Sequence, residues 1–302
     1  MEYQRDKLIT KIYLEAKKNK DIFFISADFG APALDIFREK LPEQFIHSGI
    51  SEQNSVDLAA GLALDGRIVF VYAMAPFVTL RCLEQHKCST GIMNLKVCTI
   101  VAGIGLGYAD AGPTHYATED LSCLHSLINS NVSSASDPIV AEYLGQDFIE
   151  NPKYSFIRLD RHPTPTIDQN LNYESIKKGF RVISSEGDTC VISTGGILNN
   201  VINAQNFSNK KFAICDLFRT KPISKEFVDF VSNYKNLITV DEQSTGGLST
   251  IILELLNEHK VLKNITCLKL PEKYFFENGG RDFLLDESNL SPKKIAKKLN
   301  SI

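Results

Sequence analysis

The sequence predicts an α/β protein built of two domains, each a mainly parallel sheet flanked by helices. Three observations carry that expectation. Short β-rich runs are continuously apolar rather than alternating, as in strands covered on both faces. Longer stretches with helical rhythm separate them, and strand–helix alternation is the pattern of parallel α/β architecture. One segment, RHPTPTIDQN at 161–170, breaks the rhythm with two prolines and no apolar periodicity, so it reads as a linker.

In the first half the apolar runs are DIFFIS (21–26), RIVFVYA (67–73), VCTIVAG (97–103) and YSFIRLD (154–160). Helical stretches fall at 4–18, 52–64, 76–89 and 118–129, with Pro76 placed in a first turn where a missing N–H costs little. After the linker the alternation resumes with TCVISTG (189–195), KFAICDL (211–217), NLITVDE (236–242) and NITCLKL (264–270). Helical patterns accompany them at about 197–206, 224–234, 247–259 and 291–300. The expected division is therefore 1–165, a linker at 166–172, and 173–302. There is no low-complexity tract and no short-period repeat.

Composition narrows the function. The 302 residues are 43% hydrophobic and 23% charged, with a net charge of −3 and no basic stripe, so nucleic acid and anionic membrane are poor partners. The first twenty residues have no uninterrupted apolar core of a secretory signal, and no run approaches a membrane span. The seven cysteines are scattered without a CxxC pair, which fits small buried thiols in a reducing cytoplasm better than disulfides or zinc.

Three stretches can carry chemistry. In HSGISEQNSVDLAA (47–60), Glu52 stands where a polar cluster meets a small, apolar helix. On its own it reads first as an acid at a helix N-terminus capped by Ser51, and only second as a partly desolvated carboxyl suited to proton exchange. In VAGIGLGYADAGPTHYATEDL (101–121), a strand feeds a loop with four glycines whose spacing is not GxGxxG and whose helix starts too late to cradle a pyrophosphate, so a Rossmann site is rejected. Asp110, Thr114 and His115 project from that loop, although a lone loop histidine is ordinarily a surface or hydrogen-bonding residue. In YAMAPFVTLRCLEQ (72–85), Tyr72 ends a strand, and Phe77, Arg81 and Gln85 are spaced to share one helical face. Phe77 reads as core or as a stacking platform for a heterocycle.

Taken together these stretches resemble the transketolase family. SGISEQNSVDLAAGLAL is similar to the glutamate-bearing segment of its pyrimidine-binding domain, and GIGLGYADAGPTHYATED to its glycine loop ending in a GPTH-type element. TGG (194–196) and VDEQSTGGLSTIILELL (240–256) resemble its C-terminal domain. The similarity runs from about residue 4 to 300 but covers only the later half of a full-length transketolase. The best match is a separately encoded C-terminal subunit of a split enzyme.

The resemblance implies thiamine diphosphate as cofactor. Glu52 takes the place of the glutamate that shares a proton with N1′ of the aminopyrimidine, so that the thiazolium ylid can form and move a two-carbon ketol unit from ketose to aldose. Phe77 takes the place of the ring against the pyrimidine, with Tyr72 and Arg81 beside it. His115 matches the histidine near the substrate's hydroxyls. Asp110, Arg161 and Asp28 match substrate-binding positions, Asp110 in a shifted register because YADAGPTH carries extra residues, and the Arg161 guanidinium suits a phosphate or carboxylate.

Departures matter as much. The family's phosphate-gripping histidine falls near Val101, which cannot donate, and ADFGAPA (27–33) lacks the usual serine, so the substrate is expected to differ from the usual sugar phosphates. The family anchors diphosphate and Mg²⁺ through a Gly-Asp-Gly element with downstream asparagines. None occurs here, and Gly187-Asp188 runs straight into a strand. No metal ligand is assigned to this chain. A partner N-terminal subunit is expected to hold diphosphate and metal, in an assembly with two copies of each chain. DEQSTGGLS (241–249), despite Glu242, reads as a structural turn. The rival readings are the β-subunit of a 2-oxo acid dehydrogenase E1 component, a deoxyxylulose phosphate synthase-like enzyme, and a non-catalytic regulatory or scaffold subunit.

Overall fold

The computed structural model describes every residue except Asp28, Phe29 and Asn170. Twelve strands are described: β1 Ile22–Ala27, β2 Phe45–Gly49, β3 Ile68–Met74, β4 Val97–Ala102, β5 Asn131–Ser134, β6 Ser155–Leu159, β7 Arg181–Ser184, β8 Thr189–Ser193, β9 Ala213–Asp216, β10 Arg219–Lys221, β11 Asn236–Val240 and β12 Asn264–Leu268. They form a seven-stranded sheet in the order β10-β5-β6-β4-β3-β1-β2 and a five-stranded sheet in the order β12-β11-β8-β9-β7. Each sheet is parallel except at one edge, where β10 runs antiparallel to β5 and β7 to β9.

The continuous apolar runs became the central strands because both faces of each sheet are covered. Phe24, Phe70, Tyr72, Cys98 and Ile100 point into one core layer beneath the helices Gln4–Ala16 and Pro138–Glu150. Ile25, Val69, Val71, Val97 and Val101 point into the other, beneath the helix Glu52–Leu64. The first two helices pack closely because Gly145 makes room for Leu8; a Cβ there would lie 2.4 Å from Leu8 Cδ1. The second sheet is likewise covered on both faces.

Several elements lie outside what the apolar runs predict. β2 is half-exposed, and β5 reads NVSS, so neither has an apolar signature. The helix Pro138–Glu150 is announced by Asp-Pro rather than by periodicity. Pro138 sits in its first turn, and Asp137 Oδ1 accepts from Val140 N at 2.9 Å. The expected single helix at 76–89 is broken. A turn Ala75–Val78 ends where Thr79 Oγ1 donates back to Ala75 O at 2.6 Å, and the chain re-forms helix only at Leu83–Gln85 before a π-helical turn, His86–Gly91. The shared helical face of Phe77, Arg81 and Gln85 therefore does not exist as a helix. β10 belongs to the second half of the chain yet completes the first sheet, so the two halves are stitched by a strand as well as packed.

Candidate active site

The carboxyl ends of β1, β3, β4 and β6 open on one side of the first sheet, where an open parallel sheet places its ligand crevice. The turn after β2 brings in the helix that starts at Glu52. Its N-terminus is not capped as expected: Ser51 Oγ donates to Ser48 O at 2.5 Å and leaves the helix amides alone. Glu52 is only 6% exposed. Among the described residues its carboxyl has one hydrogen-bond partner, Arg81 Nη1, at 2.7 Å from Oε2.

Arg81 reaches Glu52 across the ring of Phe77, with its guanidinium carbon 4.5 Å from the ring centroid. His115 meets the same phenyl ring edge-on at 5.1 Å between centroids. The loop histidine is thus held in a line of contacts. His115 Nδ1 lies 2.9 Å from Thr114 Oγ1, and its ring is 6.3 Å from that of Tyr108. Tyr108 in turn carries the Arg161 guanidinium at 4.3 Å, and Arg161 grips Asp110 with both terminal nitrogens. This hydrogen bonding holds the Asp110 carboxyl below its usual range. Glu52, Arg81, Phe77, His115, Tyr108, Arg161 and Asp110 make one continuous row.

The glycine loop puts Tyr108 there. Gly103 has a φ of +83°, and a Cβ on it would come 2.0 Å from the Tyr108 ring, so the ring folds back over bare backbone. Sequence alone does not single out Tyr108, because an aromatic inside a glycine loop has no local pattern to mark its direction.

Two expected members stand apart. Tyr72 is fully buried on the opposite face of the sheet from the Glu52 helix, packed against Phe24 at 6.3 Å, with burial pushing its hydroxyl's pKa up. The period-two alternation of β3 sends it away from Phe77, so it supports the core rather than a ligand. Asp28 lies outside the described residues. Val101 is fully buried in β4 and offers the crevice no donor.

A second polar cleft, of about 570 Å³, adjoins Asp110 and Arg161 and runs between the two halves of the chain. Arg281 sits in its floor, bonding Asp160 at 2.7 and 2.8 Å and Glu242 at 2.5 and 3.2 Å. Burial pushes the Asp160 carboxyl up, but the Arg281 charge and hydrogen bonds outweigh it and the net direction is down. Glu242 also accepts from Leu106 N at 3.1 Å, consistent with the structural reading of the 241–249 turn. Neither Asp160 nor Arg281 is legible from sequence, since 121 residues separate them.

Gly187 and Asp188 precede β8 and so lie at the amino end of the second sheet, where Asp188 O accepts from Lys235 N. Among the described residues no group of three or more His, Cys, Asp or Glu side chains is placed to hold a metal ion. No helix among them is long and apolar enough to cross a membrane.

This fold, with its acid–aromatic row at the strand ends, matches two family profiles: "Transketolase, pyrimidine binding domain" over residues 8–166 and "Transketolase, C-terminal domain" over 179–295. The chain belongs to the transketolase family, of which it carries the pyrimidine-binding and C-terminal portions. It is 29% identical over 262 residues to one of the subunits of an apulose-4-phosphate transketolase from Phocaeicola vulgatus, covering 84% of each chain. It is 28% identical over 275 residues to 1-deoxy-D-xylulose-5-phosphate synthase of Dictyoglomus turgidum, covering 89% of this chain but 44% of that one. Among solved structures, one described as a split gene transketolase, inactive beta4 tetramer, superposes with a TM-score of 0.86 at 23% identity, covering 99% of this chain and 97% of that one.

Proposed function

We propose that this chain is the C-terminal subunit of a split, thiamine diphosphate-dependent transketolase, a transferase active only with a partner subunit. The observation that carries the reading is the seating of a nearly buried carboxyl, Glu52, joined through Arg81 to the ring of Phe77 at the strand ends. The pair fits the cofactor's ring in chemistry. A flat, nitrogen-bearing cation, the Arg81 guanidinium, already lies over Phe77 while donating to Glu52 Oε2.

When bound, thiamine diphosphate supplies the nucleophilic carbon and the electron sink for the transferred ketol unit. Glu52 holds the shared proton at the ring nitrogen, and its burial strengthens that bond. Phe77 orients the ring by stacking. His115, held edge-on against Phe77, would donate to substrate hydroxyls and move a proton there. Arg161 and Asp110 form the polar end of the row, where a charged or hydroxylated substrate terminus exchanges with their mutual bond; Asp28 is proposed to join them. The absence of a donor at Val101 supports a substrate whose anion, if any, is gripped elsewhere than in the usual sugar phosphates.

The partner is an N-terminal subunit carrying the Gly-Asp-Gly element, diphosphate and Mg²⁺. The assembly is two copies of each chain in the cytoplasm, and this chain's domains are 1–165 and 173–302 joined by 166–172. The Phocaeicola relative is itself named as one subunit of its enzyme, and the structural neighbour is a beta-only tetramer described as inactive; both support a division of this kind.

The test is purification alone and with such a subunit, followed by a screen of phosphorylated and unphosphorylated ketose donors. Negligible activity alone and thiamine-dependent ketol transfer by the pair is expected. Robust turnover without a partner sinks the split-site reading. The synthase relative favours one second reading, and formation of deoxyxylulose phosphate from pyruvate and glyceraldehyde phosphate would establish it instead.

A further inference from the structure

We propose that Arg81 is a built-in placeholder: its guanidinium occupies the Glu52–Phe77 seat and must swing out before a cofactor ring can enter. The inference rests on the functional reading above and concerns how that seat is kept when empty.

Three features converge on it. First, the guanidinium makes both contacts that a stacked, nitrogen-bearing ring would make, 4.5 Å from the Phe77 centroid and 2.7 Å from Glu52 Oε2. One face of a phenyl ring takes one planar group, so a ring that stacks there and pairs with that oxygen excludes Arg81 from both. Second, the seat needs a guest. Glu52 is 6% exposed and has no other hydrogen-bond partner among the described residues, and a buried carboxyl left unpaired is costly. Third, the guest can leave. The Arg81 side chain is 44% exposed and sits in the irregular stretch between Val78 and Leu83 rather than inside a helix. It also lines a cleft of about 990 Å³ on its outer side, shared with Glu84, Lys87, Ile92 and Ile128, which gives the displaced side chain room and a nearby acid.

The displacement is an exchange. An entering ring gives Glu52 a new partner as Arg81 leaves, so the buried carboxyl is not stranded, and the cation–π contact of the 44%-exposed Arg81 side chain is modest. The apparent cofactor affinity is reduced by the fraction of molecules in which Arg81 has vacated the seat. Arg81 is therefore a competitor of the cofactor, contrary to the cofactor-binding role expected of it beside Phe77.

The experiment measures thiamine diphosphate binding, in the presence of Mg²⁺, to the two-subunit complex by titration calorimetry, with wild type and Arg81→Ala side by side. Truncating a half-exposed side chain leaves the fold intact, which circular dichroism and co-purification verify. Arg81→Ala is expected to bind about three- to tenfold more tightly, because the competitor is gone. Binding that is unchanged or weaker while wild type binds normally overturns the placeholder and makes Arg81 a bystander or a cofactor ligand. If the wild-type complex binds no thiamine diphosphate, the functional reading itself falls and this inference with it.

Discussion

Glu52, whose carboxyl bonds Arg81 alone among the described residues, is the residue on which the functional reading turns. Replacing it by Gln keeps the size and an acceptor oxygen but removes the shared proton, so turnover of the reconstituted complex should fall by at least about a hundredfold. Association with the partner should persist. Unchanged turnover would favour a scaffold role. Glu52, Phe77 and His115 are legible as candidates because each sits beside a local signal: a polar cluster entering a small-residue helix, a strand–helix junction, a glycine loop. Their mutual contacts are not, because no local signal says that a residue at 81 reaches back to one at 52. Tyr72 misleads for the converse reason. A residue one step along a strand changes face, and the choice of face depends on which helices cover the sheet.

At the scale of elements, the broken segment 75–91 carries the largest departure from expectation. His86 opens its π-helical turn, fully buried, with Nε2 donating to Val78 O at 2.7 Å and its ring edge-on to Phe156 at 4.8 Å. Burial lowers its pKa to about 4, against the hydrogen bond that would raise it. A histidine whose folded pKa lies below its unfolded value adds stability at pH above the unfolded value. That contribution is lost as pH falls from about 6.5 towards 4. From pH 7.5 to pH 5 the loss amounts to about 2 kcal/mol for this one group. His86→Phe should therefore be less stable than wild type at pH 7.5 yet show a visibly flatter loss of stability down to pH 5 in denaturant titrations. Parallel pH profiles would show that His86 does not titrate on unfolding. The glycine loop is predictable as a loop, but the return of Tyr108 onto Gly103 depends on sheet geometry that brings the ends of β4 and β6 side by side.

For the whole molecule, the junction between the two halves is the feature that no local reading approaches. Arg281 from the last quarter of the chain bonds Asp160 at the end of β6 and Glu242 after β11. Removing one partner of a buried ionic cluster strands the others in a poorly solvated place. Arg281→Ala should cost about 3 kcal/mol and lower the thermal midpoint. A loss below about 1 kcal/mol would mean that the strand exchange through β10 and the apolar packing hold the halves together without the ion cluster. A second buried cluster spans the same junction, with Arg181 paired to Asp137 at 2.8 Å and to Asp216 at 2.9 Å.

The amino-acid order alone determined the α/β class and the central strands, and it offered Glu52, Phe77 and His115 as the candidates for the site. Those properties follow from hydrophobic periodicity and from residue types placed at strand ends, both encoded within a dozen neighbouring positions. Which side chains touch was settled only when the sheets closed. The row from Glu52 to Asp110, the exclusion of Tyr72, the seat taken by Arg81 and the pairing of Asp160 with Arg281 all depend on strand order and on which face each helix covers. The decisive contacts among them, Glu52 with Arg81 and Asp160 with Arg281, join residues 29 and 121 positions apart, and no local propensity contains them.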